Sequence, residues 1–152
     1  MDPTVTMLAR ITSATGHRLN IRADQTLRKA SLAAIAQLVL GVDAPDIPFT
    51  RLRGLIDSLD ANPNSAMDAI VDPPPRTGNE DLDNLLAAIA NKIAEENLRT
   101  RPTWTSDVPI PPAPWRSPGT PRMQALEAAK APRQFTERRI FLAANNFWRH
   151  DA

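Results

Sequence analysis

The sequence predicts a mainly α-helical fold: a compact domain of about five to seven helices, a proline-rich segment wrapped over them, and at most short β segments. Three observations predict it. Residues 79–98 place Leu82, Leu85, Leu86, Ile89 and Ile93 at i, i+3, i+4, i+7 and i+11, with Ala90 on the same stripe, which is one apolar face of a 3.6-residue helix. Shorter stripes of the same period recur along the chain. Fifteen prolines stand against five glycines, which implies stiff, extended connections and argues against a sheet-dominated fold.

The 79–98 stretch is the expected central helix. Asn79 can cap its free amides, and Glu80 and Asp81 sit where the helix dipole favours negative charge. At ~1.5 Å per residue it spans ~30 Å, about the width of a small domain. Lys92 and the pair Glu95–Glu96 fall off the stripe and are expected in water.

The chain has 152 residues, enough for one domain with a real core. No apolar run approaches the ~18 residues of a membrane span, and no basic segment followed by an apolar stretch marks a secretory signal. Cysteine is absent, which excludes disulfides and thiolate-bound metal and fits a cytoplasmic protein. With 18 basic and 17 acidic residues the net charge is +1, so any contact with nucleic acid must be local.

From the start of the chain, Asp2 and Pro3 can open a helix with Val5, Leu8, Ile11 and Thr12 on one face, joined by Met7. Gly16 stops it. Leu19 and Ile21 then alternate with Asn20 and Arg22 as a short strand or arm. The plainer reading is an ordinary amphipathic helix. The order Pro3, Val5, Leu8, Ile11, Gly16, Leu19, Ile21 also resembles the tail of a Cro/repressor-type helix-turn-helix domain, its last helix followed by a β-arm. On that resemblance residues 1–22 are a remnant. The positioning and recognition helices would need roughly 40 further residues upstream, so a complete DNA reader is not expected from this chain alone.

Residues 24–152 are expected to form the all-helical body. A second helix over 24–41 carries Leu27, Ser31, Ala34, Ile35, Leu38 and Val39 on its stripe and stops at Gly41. Arg28 and Lys29 at its start could touch phosphate, though solvation is the plainer role. Asp46 or Pro48 opens a third helix with Phe49, Leu52, Leu55, Ile56 and Leu59 inward; Asp57 and Asp60 are expected to offset Arg51 and Arg53. A short helix over 65–71 carries Met67, Ile70 and Val71, and three consecutive prolines from Pro73 force an extended segment.

Residues 101–121 hold seven prolines with Trp104 and Trp115 among them. A flexible linker lacks tryptophan, so this segment is expected to wrap the helices with both indoles against the body. Anchoring a partner is the sharper alternative, since tryptophan is enriched at hot spots. Thr120 and Pro121 open a last regular helix with Met123 and Leu126, ended by Ala131 and Pro132. Phe135 follows; residues 138–142 are β-prone, and residues 145–150 form a final short helix or turn.

Several features in order resemble a group of actinobacterial antitoxin-like proteins. They are the 32–38 stripe, the turn from Pro74 to Gly78, the run from Asp83 to Ile89, Pro102 with Trp104, the pair Pro114 and Trp115, and the series Pro132, Phe135, Arg138, Ile140, Phe141. That group joins a helix-turn-helix head to an all-helical body. The resemblance implies an antitoxin that binds and neutralises a cognate, nucleotidyltransferase-like toxin; this chain departs from the group in lacking the head, which bears on DNA binding and autoregulation and not on neutralisation. A homodimer is a further candidate partner.

Chemistry-bearing patterns are sparse. His17 and His150 stand at opposite ends without a partner at ligand spacing, and Gly41, Gly54, Gly78 and Gly119 are isolated rather than a phosphate loop. Asp81, Asp83, Glu95 and Glu96 read as a solvated face, and Ser31 and Ser58 have no nearby base. Catalysis, a cofactor and a metal are therefore not expected. The candidate partner-binding residues are Trp104, Trp115, Arg138, Arg139, Phe141, Phe147, Trp148 and Arg149. The three arginines would enter an acidic, nucleotide-handling cleft of the toxin while the aromatic rings anchor. The alternative is a helix-turn-helix autorepressor, which would bind DNA only with an upstream head or through a dimer. No membrane partner is expected.

Overall fold

A computed structural model describes residues 30–43 and 45–151, and among them six α-helices and two very short strands follow one another. The helices are α1 (Leu32–Leu38), α2 (Phe49–Ala61), α3 (Ala66–Ile70), α4 (Glu80–Glu96), α5 (Pro121–Ala129) and α6 (Arg133–Thr136); the strands are β1 (Trp115–Arg116) and β2 (Ile140–Phe141). The fold is mainly α, as the sequence predicts. The helix and arm expected over residues 1–22, and the part of the second helix before residue 30 with Leu27, Arg28 and Lys29, lie outside the described residues.

The central helix is α4. Asn79 Oδ1 accepts from the amides of Asp81 (3.0 Å) and Leu82 (3.1 Å). Gly78, at φ +86°, makes the turn into that cap, a conformation cheap only for glycine. All of the predicted stripe, Ala90 included, is buried, and so is the opposite face, for Ala87, Ala88, Asn91 and Ala94 are also enclosed. These alanines let neighbours approach from every side. Each fully buried leucine or isoleucine contributes about 1.5–3 kcal/mol.

That all-round enclosure corrects one expectation. Lys92 is not in water but buried, with Nζ 4.7 Å from the centre of the Trp148 ring, bonded to Glu96 and 3.0 Å from Asp151. A period that marks one apolar face does not reveal that other segments cover the remaining ones.

Around α4 the shorter elements form one continuous core, running from Leu32 to Trp148. Helix α1 starts later than its stripe suggests, because Ser31 is its cap rather than a stripe member: its hydroxyl accepts from the Ala34 amide at 3.0 Å. The helix ends before Gly41, and Leu38 is exposed. Helix α2 follows Pro48 and buries Leu52, Leu55, Ile56 and Leu59 as predicted. Its acidic residues do not offset its own arginines. Asp57 accepts both Arg149 Nε (3.1 Å) and Nη2 (2.9 Å), Asp60 faces His150, and Arg53 Nε donates to the Asn146 carbonyl (2.9 Å). The C-terminal turns thus lie against α2. A 3-10 turn at Pro63–Ser65 leads into α3.

The wrap is present. Trp104 is buried and its indole N–H donates to the Ile70 carbonyl at 2.8 Å; Trp115 is half-buried against the core. β1 pairs in parallel with β2, Trp115 opposite Ile140 and Arg116 opposite Phe141. Helix α5 begins at Pro121 with Thr120 as cap. None of its residues is buried, and Glu127 ties it to the body by accepting from the Ala143 amide (2.8 Å) and Asn146 Nδ2 (2.9 Å). The one-turn α6 delivers Phe135 into a ring cluster with Phe147 and Trp148, and Phe49 stacks on Phe147 at 5.6 Å. No helix among the described residues is long and apolar enough to cross a membrane.

Candidate functional site

The eight candidate partner-binding residues divide by burial. Trp104, Arg138, Phe147 and Trp148 are interior. Phe147 and Trp148 belong to the ring cluster, so their aromatic character serves packing rather than an exposed anchor. Arg138 is a buried cation with no carboxylate partner among the described residues. Its Nε donates to Asn84 Oδ1 at 2.6 Å, its Nη1 to the Thr105 carbonyl at 3.1 Å and its Nη2 to the Val108 carbonyl. Burial, then the nearby charges of Arg101 and Arg76, lower its pKa from the usual arginine value. In this structure it fastens the 101–121 wrap to α4. Arg149 is exposed but paired with Asp57.

The remaining three come together. The parallel pairing of β1 and β2 brings their backbones side by side: Trp115, opposite the buried Ile140, packs against the core, while Phe141 pairs on the outer face with Arg116, whose guanidinium lies 4.5 Å from the centre of the Phe141 ring. Arg139 has φ +58°. Its carbonyl accepts the Trp115 amide at 2.9 Å, so the left-handed backbone starts the strand pairing. Glycine would adopt that conformation with less strain. What arginine adds is an exposed cation, its Nη1 resting on the Pro112 carbonyl at 2.6 Å.

Helix α5 lies against β2, and Gln124 Nε2 donates to the Ser117 carbonyl just past β1 (3.1 Å). It leaves Met123 and Leu126 more than half exposed. Sequence reasoning passed over Arg116, Met123 and Leu126 as site residues. Arg116 neighbours the quoted Pro114 and Trp115, but its approach to Phe141 arises from a strand pairing that no local period encodes. Arginine, tryptophan, phenylalanine and methionine are the residue types enriched where protein surfaces meet.

No protein-family model matches this chain, no curated protein matches its sequence and no solved structure matches its fold.

A second cluster gathers ionisable groups. Glu96, His150 and Asp151 each bring a ligand-type atom within 4.8 Å of the others. The histidine has no partner at ligand spacing in the sequence except its neighbour, and the fold supplies Glu96 from α4 and Asp60 from α2. The Lys92 ammonium already bonds two of these carboxylates.

Proposed function

We propose that this chain is an antitoxin-type binding protein that captures and neutralises a cognate protein toxin, working by occlusion rather than by catalysis. The observation that carries the reading is the surface formed by the exposed Arg116 and Arg139 and the half-buried Phe141, with Met123 and Leu126 on the neighbouring helix and Trp115 packed beneath it. The ordered motifs resembling antitoxin-like proteins support it and give the partner its class, a nucleotidyltransferase-like toxin. Such an enzyme handles nucleotides with carboxylates. Arginine forks pair with carboxylates through two parallel bonds, so Arg116 and Arg139 would occupy the acidic groups while the rings and α5 side chains cover the cleft mouth.

The test is a co-expression growth assay with the product of the neighbouring reading frame as toxin. Arg116→Glu combined with Arg139→Gly should abolish protection while the purified variant melts within ~1 kcal/mol of the parent, because strain relief offsets one exposed bond. Full protection by that variant rejects this surface. Specific retardation of its own promoter fragment by the purified chain would instead favour a transcriptional regulator.

A further inference from the structure

Helix α5 is mounted inside out. A surface helix ordinarily turns its large apolar side chains to the core and its polar ones to water. Here the side toward the body carries Gln124, Glu127 and Ala128, all half-buried. Gln124 bonds the Ser117 carbonyl, and Glu127 bonds the Ala143 amide and Asn146. The opposite side carries Arg122, Leu126 and Lys130 in one row at i, i+4 and i+8, with Met123 on its flank. All four are exposed, Met123 by 56% and Leu126 by 55%, and neither apolar side chain belongs to the core. Polar bonds hold this helix to the body, and its apolar face is left over.

The charge on that face has one sign. Glu127 is the acid of this helix, and it is turned inward. Arg122 and Lys130 form no ion pair with any described residue, and neither do Arg116 and Arg139 on the adjoining surface. We propose that α5 is a recognition helix that lays its outward face into a groove on the partner protein. The groove is apolar along its floor for Met123 and Leu126, and acidic at two points ~12 Å apart for Arg122 and Lys130. This rests on the toxin-binding reading and specifies how the toxin is held: α5 fills the groove while Arg116 and Arg139 meet carboxylates beside it. Nucleic acid is the poorer occupant, because phosphates use the cations and leave two apolar side chains without a role. A second copy fits poorly as well, since two-fold pairing of one face with itself sets cation against cation.

The experiment is calorimetric titration of the full chain with the product of the neighbouring reading frame. Met123→Gln with Leu126→Gln keeps helix-favouring side chains, so the melting curve should not move, yet binding should weaken at least about thirtyfold. Arg122→Glu with Lys130→Glu should weaken it at least about tenfold and flatten its dependence on salt. Val71→Ser, at an equally exposed apolar position after α3, should leave binding as it was. An equal loss from Val71→Ser overturns the proposal. So does a melting point lowered by more than about 4 °C in the glutamine variant, which would show both side chains packed in the free chain. Parent-like binding by the glutamine variant, with binding lost in Arg116→Glu with Arg139→Gly, discards the role of α5 and leaves the antitoxin reading standing. No binding by the parent chain overturns both. A free chain that sediments as a dimer, dissociated by the glutamine pair, would give this face to a second copy and overturn the proposal. Binding of single-stranded RNA that survives the glutamine pair and is lost with the glutamate pair would give it to nucleic acid, with the same result.

Discussion

Asn84 and Arg138 hold each other at both ends: Arg138 Nε donates to Asn84 Oδ1 at 2.6 Å, and Asn84 Nδ2 donates to the Arg138 carbonyl at 2.8 Å. Both residues are buried. The pair joins the middle of the fold to the segment that enters β2, and Arg138 reaches on to the wrap at Thr105 and Val108. A guanidinium in that position has only neutral acceptors to replace water, so every one of them matters.

Asn84→Ala is therefore expected to lower stability by about 3 kcal/mol, since it removes a charge-assisted bond and leaves a buried N–H and carbonyl unmatched. Urea denaturation measures it. In a double-mutant cycle with Arg138→Met, the Arg138 substitution should cost at least about 1 kcal/mol less in the Asn84→Ala background than in the parent. Additive losses would show that the two residues act separately.

Leu98 gives a prediction of opposite sign. It follows α4 with φ +54° and is 94% exposed. Its amide donates to the Glu95 carbonyl at 3.0 Å and the next amide, of Arg99, to Ala94 at 2.8 Å. That is the double-bonded helix end in which glycine is the usual occupant. Leu98→Gly relieves the strain and forfeits almost no packing, so it should stabilise by about 1 kcal/mol. A raised thermal midpoint checks it; a lowered one would mean the leucine packs in solution.

How far the sequence reaches is visible in these same elements. The α4 stripe, the Asn79 and Thr120 caps and the Pro48 start were legible because each depends on residues within one or two turns. Lys92, Asn84 and Arg138 were not, because their surroundings come from segments far along the chain. Arg138 and Trp148 look like partner-binding groups by type, and the structure buries both. The patch was half legible. Trp115, Arg139 and Phe141 stood out, whereas Arg116 joins them through a two-residue parallel pairing too short to leave a period.

Acid should act through Glu95. Burial pushes its carboxyl up, but bonds from Gln134, Arg101 and Arg133 outweigh that and hold its pKa below the usual glutamate value. Arg101 Nε donates at 2.7 Å and Arg133 Nη2 at 3.0 Å. A depressed carboxylate contributes stability above its unfolded pKa of about 4.3, and loses it as pH falls through the folded value. Glu95→Gln should cost about 1 kcal/mol at neutral pH, a modest figure because the site is partly solvated. Denaturation at a series of pH values should show the gap between parent and variant narrowing as pH drops below about 4. A gap independent of pH would show that the charge of Glu95 contributes nothing.

Lys92 separates charge from packing. Its stem lies in the interior and its ammonium sits on Trp148 between Glu96 and Asp151. Those two carboxylates are about one-third exposed, so without the lysine they remain hydrated, and the usual penalty for stranding a buried partner is largely escaped. Lys92→Met keeps the stem and deletes the cation, and should cost only about 1 kcal/mol. Lys92→Glu puts a third carboxylate against the other two over an aromatic face and should cost about 4 kcal/mol or more. Chemical denaturation of the two variants side by side gives the comparison. Similar losses for both would mean that shape, and not charge, governs this position.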